Sequence, residues 1–249
     1  HFPFMRISKS QIKYLKSLQS KKYRQKYNKF IVEGVKLVTE ILRDRPEWIE
    51  WLVVQEDLNI SFKRMLIANH QEFRLVSSLT TPSGILAVVE IPFFHLEEKA
   101  LSSKLNLYLD GIMDPGNMGT IIRTAEWFGI AQIICSSGCV DPFNSKVVQA
   151  SMGAIYRIPI IQMDLIDIPK LEKYQILMAS LEGENIKKAR MEPHGIIVIG
   201  NESHGISKSL YKLPHHKIKI PSHPSNQGES LNAGIAAGII IYQLQLNML

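Results

Sequence analysis

The sequence predicts an α/β protein of two domains, a small one over residues 1–98 and a larger one over residues 105–249. A chain of 249 residues has room for two ordinary domains. Its 45% hydrophobic and 21% charged residues match globular proteins, which excludes a disordered chain. In the second part, continuous apolar strands alternate with helical patterns. This alternation is typical of a mostly parallel sheet that helices cover on both faces.

The first hundred residues have the patterns of a compact α/β unit. The predicted elements, in chain order, are a basic helix at residues 11–18, then after a polar turn a strand at 30–32, a helix at 34–42, and strands at 48–54, 73–76 and 85–91. Pro92 ends the last of these strands. The mixed composition of residues 93–104 favours a domain linker there.

The second domain has six predicted strands, with helical patterns between most of them. These strands are at residues 106–109, 132–136, 156–161, 175–180, 195–200 and 217–221. The last predicted helix, at residues 231–244, is rich in small residues, so we expect it to pack closely against a neighbour. The apolar stretch at 233–242 is about half the roughly 20 residues that a membrane-spanning helix needs, which excludes a transmembrane protein.

Positive charge is concentrated at the start of the chain. The net charge is +6, yet the first 32 residues alone carry nine basic residues and no acidic one, so the rest of the chain is −3. Tyr14, Tyr23 and Tyr27 lie within this basic run. Because lysines release counterions from phosphates and tyrosines stack on bases, the run favours RNA or DNA as a partner. A solvated helix face is the alternative.

The chain has two cysteines, Cys135 and Cys139, and no apolar secretory segment at its start. This usage argues against a secreted disulfide scaffold, and we expect a cytoplasmic protein. The spacing of four could place both thiols on one helix face. A zinc site needs about four ligands, however, and no matching Cys/His pair accompanies them, so we expect no metal.

Three loops are candidates for chemistry, because ligands of open α/β sheets bind at the carboxyl ends of strands. The first loop, at residues 110–125, contains Asn117 and leads into a helix expected to begin near Gly119. Arg123 lies within the first turns of that helix on an otherwise apolar run. Such an arginine either reaches solvent or holds an anion.

The second and third loops follow later strands. In the second, Gly200 at a strand end would let a ligand approach the backbone, and Glu202 would place a carboxylate at the pocket edge. An ordinary glycine turn is the alternative. The third loop, at residues 220–232, ends at the last helix, where Ser230 is the predicted N-cap. A structural cap and a ligand contact are compatible roles.

Several nucleotide and hydrolase motifs are missing from the sequence. There is no Gly-x-Gly-x-x-Gly after a strand, no phosphate loop ending in Gly-Lys-Ser/Thr, and no Gly-x-Ser-x-Gly elbow. These absences argue against Rossmann dehydrogenases, nucleotide hydrolases and α/β-hydrolases.

Together the three loops resemble the three motifs of the SpoU (TrmH) branch of the SPOUT superfamily. The matching residues are 114–125, 197–206, and 220–221 followed by 230–232, and residues 140–154 resemble the family's segment after its second strand. This resemblance implies an S-adenosylmethionine-dependent RNA 2′-O-ribose methyltransferase with a trefoil knot near its C-terminus. Strand order alone would not have suggested a knot.

The N-terminal part resembles the substrate-binding domain of many such enzymes, a small α/β fold akin to RNA-binding ribosomal proteins. Residues 30–36 and 81–87 carry this second resemblance. Family members are usually homodimers with the cofactor site near the subunit interface. The apolar C-terminal helix is therefore a candidate dimer surface, although a buried core helix would have the same pattern.

The resemblance also implies roles for residues in the three loops. Arg123 would be essential, either by acting as the base or helping to form it or, since arginine is almost always protonated, by orienting the ribose hydroxyl. Asn117 would be its neutral partner, and Glu202 would orient Arg123 or the RNA. Ser230 and Asn232 would help to place the cofactor or the ribose.

The adenosine part of S-adenosylmethionine would lie against the second and third loops. Backbone groups around Gly200, Ile220 and Leu231 would hold it, with Ile220 and Leu231 as apolar walls. The sequence departs from the family pattern between Pro221 and Ser230, where two extra polar residues leave the loop positions unassigned.

Three functional hypotheses follow. The leading one is methylation of a ribose 2′-hydroxyl in structured ribosomal or transfer RNA, and the added N-terminal domain favours ribosomal RNA. The second is an RNA-binding ribosome-assembly factor that has lost turnover, which the full set of motif residues argues against. The third is a base methyltransferase, which the SpoU-type Asn117 and Arg123 disfavour.

Overall fold

The computed structural model describes residues 5–56, 62–190, 192–225 and 228–248. By their contacts the residues group into two units. One unit comprises His1–Phe93 together with Asp141–Tyr156, and the other comprises Phe94–Val140 and Arg157–Leu249. Residues 141–156, which the sequence-based division assigns to the second domain, therefore pack with the first unit. The boundaries at residues 98 and 105 stay a prediction.

The helices and strands are numbered in chain order. Up to residue 93 they are β1 (Met5–Arg6), α1 (Lys9–Ser17), α2 (Lys21–Tyr27), β2 (Lys29–Glu33), α3 (Val35–Asp44), β3 (Ile49–Gln55), β4 (Met65–Ala68), α4 (His70–Val76) and β5 (Ile85–Glu90). Beyond it they are α5 (Glu98–Leu101), β6 (Leu105–Asp110), α6 (Pro115–Trp127), β7 (Ile133–Cys135), α7 (Ser145–Ser151), β8 (Ile160–Gln162), β9 (Ile176–Asn185), β10 (Gly195–Gly200), β11 (His216–Lys219) and α8 (Ala233–Met248).

The first unit is built on a mixed five-stranded sheet in the order β1-β4-β3-β5-β2. Strand β5 lies antiparallel to β2 and β3, whereas β1 and β3 run parallel to β4. Helices α1 and α4 pack on the sheet through buried apolar residues such as Leu15 and Phe73. Removing these side chains from water supplies the main driving force for this packing.

Three sequence-based expectations fail in the first unit. Residues 73–76, expected as a strand, belong to helix α4, because Asn69 and Glu72 form a capping box at its start and Phe73 and Val76 both face the core. The expected polar turn before β2 is helix α2. Strand β4 is absent from the sequence-based elements.

One member of the basic run is buried. Arg24 is only 3% exposed and donates from Nε and Nη2 to Oδ2 of Asp141, at 2.8 and 2.6 Å. Its Nη1 donates to the carbonyl oxygens of Leu18 and Gln19. Arg24 therefore fixes residues 141–156 to the first unit, and its charge is not available to a polyanion.

The second unit contains a six-stranded sheet, all parallel, in the order β11-β9-β10-β6-β7-β8. Strands β6 and β10 lie in the middle, and nearly all of their residues are buried, as a sheet covered on both faces requires. The predicted α/β class with a parallel sheet is confirmed. The trefoil knot that the resemblance implies stays a prediction.

Element boundaries in the second unit differ from the expected ones. Helix α6 begins at Pro115 rather than near Gly119. The Asp114 side chain caps it by accepting a hydrogen bond from the backbone N–H of Asn117, at 2.7 Å. The strand expected at 156–161 is only Ile160–Gln162. Some of the segments between strands contain short 3₁₀ turns, at Leu165–Asp167, Leu171–Lys173 and Leu210–Lys212.

Helix α8 packs closely on α6 through its glycines, as its composition predicts. A Cβ atom at Gly234 would lie 3.1 Å from the Thr120 methyl, and one at Gly238 would lie 3.6 Å from the Thr124 methyl. Gly234 thus lets the two helices approach. In the described part of the chain, no helix is long and apolar enough to cross a membrane.

Candidate active site

The three candidate loops leave the sheet of the second unit at its carboxyl edge. Strands β6 and β10 are parallel neighbours, with Gly200 paired to Asp110 at their ends. The first and second loops therefore start side by side. The third loop follows the edge strand β11, which β9 separates from β10.

The Asn117 side chain connects all three loops. Its Nδ2 donates to Oε1 of Glu202 at 2.8 Å, and its Oδ1 accepts from Nδ2 of Asn232 at 2.7 Å. Each of these residues comes from a different loop. The structure thus brings together three of the predicted site residues, in a chain of hydrogen bonds that holds both ends of one amide.

Asn232 has a second role at the start of α8. Its Oδ1 accepts from the backbone N–H of Ile235 at 3.2 Å, which is the geometry of an N-cap. The cap predicted at Ser230 is therefore wrong, because the helix begins two residues later than expected. Ser230 is exposed, and it does not join the hydrogen-bonded chain among the described residues.

Arg123 lies apart from this cluster. It is the ninth residue of α6 and follows Asn117 by six positions, which places the two about 120° apart around the helix axis. The side chain is exposed, and within the described ranges it forms neither a hydrogen bond nor an ion pair. Trp127, one turn further along, is 80% exposed. The expected pairing of Arg123 with Asn117 or Glu202 is not present in the subunit.

The glycine at the end of β10 serves its own turn. Asn201 and Gly205 exchange two backbone hydrogen bonds of 3.0 Å, and a Cβ at Gly200 would lie 2.4 Å from the carbonyl carbon of Gly205. The space that its missing side chain leaves is thus filled by the returning backbone. This geometry supports the ordinary glycine turn, one of the two interpretations that the sequence left open, and the turn's backbone groups stay candidates for cofactor contact.

Two further residues, absent from the sequence-based set, connect the first and second loops. Asp110 is buried, and its Oδ2 accepts from the Ser207 amide at 2.6 Å. Asn201 donates from Nδ2 to the carbonyl oxygen of Gly111 at 2.7 Å. A charged residue ending an apolar strand, as Asp110 does, was the available sequence signal.

The two cysteines lie beneath the first loop, at the end of β7 and in the next turn rather than on one helix face. Sγ of Cys139 is 3.2 Å from the carbonyl oxygen of Leu109. A hydrogen bond from the Cys135 thiol lowers the pKa of Cys139 to about 7, and the same contact raises the pKa of Cys135.

Two apolar residues of the third loop fit the adenosine part of the expected cofactor. Leu231 is 49% exposed, between the polar residues Ser230 and Asn232, and Ile220 is partly exposed. An apolar side chain presented beside the polar Asn232 fits an adenine that is bound by its face on one side and by polar groups at its edge. The described residues contain no cluster of three or more His, Cys, Asp or Glu side chains suited to a metal ion.

Comparison with known proteins agrees with this fold. The model of the SpoU rRNA Methylase family matches residues 104–242, and that of an MRM3-like substrate binding domain matches residues 9–87. A 23S rRNA (guanosine(2553)-2′-O)-methyltransferase of Bacillus subtilis, RlmP, is 30% identical, over 94% of this chain and 95% of its own length.

Two solved structures cover nearly the whole chain. A putative RNA methyltransferase of the TrmH family from Porphyromonas gingivalis has a TM-score of 0.83 at 34% identity, covering 96% of this chain and 98% of its own. The AdoMet-bound rRNA methyltransferase of Sinorhizobium meliloti has a TM-score of 0.85 at 25% identity, and the match covers 98% of this chain and 97% of its own.

The fold, the three loops and the relatives define the class of this protein: it is an S-adenosylmethionine-dependent RNA ribose 2′-O-methyltransferase. The predicted enzyme class is therefore confirmed. The chain belongs to the SpoU rRNA methylase family.

Proposed function

We propose that this enzyme methylates the ribose 2′-oxygen of a nucleotide in large-subunit ribosomal RNA. The chain of hydrogen bonds from Glu202 through Asn117 to Asn232 carries the assignment of the site, because it joins the three motif loops in one subunit. The 23S rRNA enzyme of Bacillus subtilis, similar along nearly its whole length, supports the choice of RNA.

The chemistry requires a weak nucleophile to be aligned and deprotonated. S-adenosylmethionine, when bound, supplies an electrophilic methyl group. A ribose hydroxyl attacks it only if its oxygen is held in line and its proton is removed. We assign the alignment to the guanidinium of Arg123, which is exposed and stays charged, and which suits the phosphate beside the target ribose.

Asn117 and Glu202 would act as positioning residues. The two hydrogen bonds of the Asn117 amide hold the first loop in register with the other two. Ser230 and Asn232 would place the ribose or the cofactor. The backbone near Gly200, with Ile220 and Leu231 as apolar walls, would hold the adenosine.

The first unit would bind the RNA. Tyr23 and Tyr27 stack with ring centroids 6.1 Å apart, and Tyr14 meets Tyr27 edge-on at 5.1 Å. Lys22 and Lys26 place their ammonium groups over these rings. Aromatic rings beside cations suit unpaired bases and their phosphates.

The enzyme would work as a homodimer. An apolar stripe on α8 is exposed at intervals of one helical turn, formed by Ile235, Ile239, Tyr242 and Leu246. A solvent-facing stripe of this kind marks a protein interface. Arg123 lies about 120° around the axis of α6 from Asn117 of the same subunit. In the dimer, Arg123 would instead contact the loops of the partner subunit. The cytoplasm stays the proposed compartment, on the cysteine usage.

The test is transfer of labelled methyl from S-adenosylmethionine to unmodified transcripts of 23S, 16S and transfer RNA, followed by digestion to nucleosides. Label in a 2′-O-methylnucleoside of the 23S transcript alone is the expected result. Label in 16S or transfer RNA would overturn the choice of substrate. Binding of cofactor and RNA without any label would favour the assembly-factor hypothesis.

A further inference from the structure

A second basic surface lies on the second unit, far along the chain from the N-terminal run. Between Ser203 and Gly228 the sequence contains no acidic residue and four lysines, Lys208, Lys212, Lys217 and Lys219. We name these four lysines the basic edge. All four are exposed, and in the described part of the chain none has a carboxylate partner.

The fold places two of these four charges, Lys217 and Lys219, on a border strand of the sheet. Strand β11 is the terminal strand and pairs with β9. Lys217 and Lys219 are exposed on either side of the buried Ile218, and the register of the strand against β9 shifts between Lys217 and Ile218. The amide of Ile186 donates to the carbonyl oxygen of Lys219, which brings the turn carrying Lys187 and Lys188 alongside.

Acidic neighbours reduce this charge without cancelling it. Glu182 and Glu184 lie on the adjoining strand β9, and Glu184 is paired with Ile218. Neither glutamate forms an ion pair with the basic edge within the described residues. Lys217 instead extends over the ring of Tyr211, with its Nζ 4.7 Å from the centroid.

Protection of an exposed sheet edge is the competing explanation, because lysines on terminal strands prevent edge-to-edge association. Edge protection explains the presence of Lys217 and Lys219 only. Lys208 and Lys212 lie outside any strand, in the segment between the second loop and β11. The whole segment also connects the two loops that contain Glu202 and Asn232, so its charges flank the candidate active site along the chain.

We propose that the basic edge binds the phosphate backbone of the substrate RNA next to the nucleotide that is methylated. This inference rests on the proposed function and adds to it a second RNA-binding surface, located on the catalytic unit itself. The basic edge neutralises phosphates, whereas the N-terminal unit contacts other parts of the RNA. Lysines are suited to this role because they act as point charges without base specificity.

The test compares two variants of the full-length chain that lose the same net charge. One replaces the basic edge, K208Q/K212Q/K217Q/K219Q. The matched control replaces four other exposed lysines of the same unit, K99Q/K104Q/K170Q/K173Q. Affinity for a fluorescent, unmodified 23S rRNA transcript is measured between about 50 and 300 mM salt, where the Debye length shortens from roughly 14 to roughly 6 Å. Methyl transfer and light scattering are measured on the same samples.

The expected result is at least about tenfold weaker binding and a salt dependence shallower by about two to three phosphate contacts in the basic-edge variant. The control should keep the wild-type slope. Equal slopes in all three proteins would overturn the inference, and aggregation of the basic-edge variant with unchanged RNA affinity would assign these lysines to edge protection. Absence of RNA binding and methyl transfer in the wild type would instead refute the proposed function.

Discussion

Asn117 and Glu202, 85 positions apart in the chain, are joined by a hydrogen bond of 2.8 Å. Their proximity follows from the parallel pairing of β6 with β10, which starts the two loops side by side. The capped start of α6 then points Asn117 toward the second loop. Strand pairing and helix capping thus produce this hydrogen bond between two of the family's motifs.

Replacing Asn117 by aspartate should place a second carboxylate against Glu202. Repulsion between the two should lower kcat/KM for methyl transfer about 30-fold, roughly 2 kcal/mol. The loss should shrink toward acidic pH, because the pair can then share a proton. The measurement is kcat/KM of Asn117→Asp between pH 6 and 8.

The control for this pH profile is Asn144→Asp, which keeps a side-chain oxygen at the cap of α7 and should leave activity unchanged. Wild-type kcat/KM in Asn117→Asp at every pH would show that the bond to Glu202 does not support the reaction.

Removing Arg24 should destabilise the first unit strongly. Asp141 would keep a largely buried charge without its partner, so Arg24→Ala should lower the free energy of unfolding by about 3 to 5 kcal/mol. Urea denaturation followed by circular dichroism measures this change. The exposed pair of Arg6 with Glu56 provides the control, and Arg6→Ala should cost less than about 1 kcal/mol. Similar losses in the two variants would contradict the structural role of Arg24.

A charge within the α8 stripe should separate the proposed dimer. Ile239→Glu would have to bury a carboxylate in an apolar interface, so the variant should sediment as a monomer at concentrations where the wild type is dimeric. Leu181→Glu, an equally apolar and more exposed position on β9, is the control and should stay dimeric. A wild-type monomer, or a dimer that survives Ile239→Glu, would rule out this interface.

Alkylation of Cys139 should depend on pH near neutrality. Its pKa of about 7 means that the reactive thiolate forms as the pH rises through 7, and is lost below it. Iodoacetamide labelling, with the site identified by mass spectrometry, should therefore be half-maximal near pH 7. Cys135→Ala removes the thiol that donates to Cys139, and the midpoint should move upward toward the ordinary value of about 8.5. An unchanged midpoint would refute the pairing of the two thiols.

The sequence predicted those features of the fold that depend on residues close together in the chain, and it missed those that depend on distant residues. Continuous apolar strands such as β10 were predictable, because burial on both faces leaves a clear pattern. The short run Phe73–Val76 was not, since four residues fit a strand and a helix equally well until Asn69 caps the helix. The partner of Arg24 lies 117 positions away, where no local pattern can point to it.

The candidate site shows the same division. Motif resemblance selected Asn117, Glu202 and Asn232, and the structure brings them into contact. The motif resemblance could not show that Asn232 rather than Ser230 caps α8, because the identity of the cap depends on the residue at which the helix starts. The sequence left two explanations of Gly200 open, a ligand approach and a glycine turn, because the backbone that fills its side-chain space returns five residues later.

The most direct test of the central claim compares Arg123→Ala with Arg157→Ala in single-turnover methyl transfer, with cofactor affinity measured by calorimetry. Arg157 is bound at 3.0 Å to Glu126, near the end of the same helix, and serves as the control. Arg123→Ala should react at least about a hundredfold more slowly with unchanged cofactor affinity, because it loses alignment of the hydroxyl. Arg157→Ala should retain near wild-type rates. Wild-type transfer by Arg123→Ala would contradict the assigned active site.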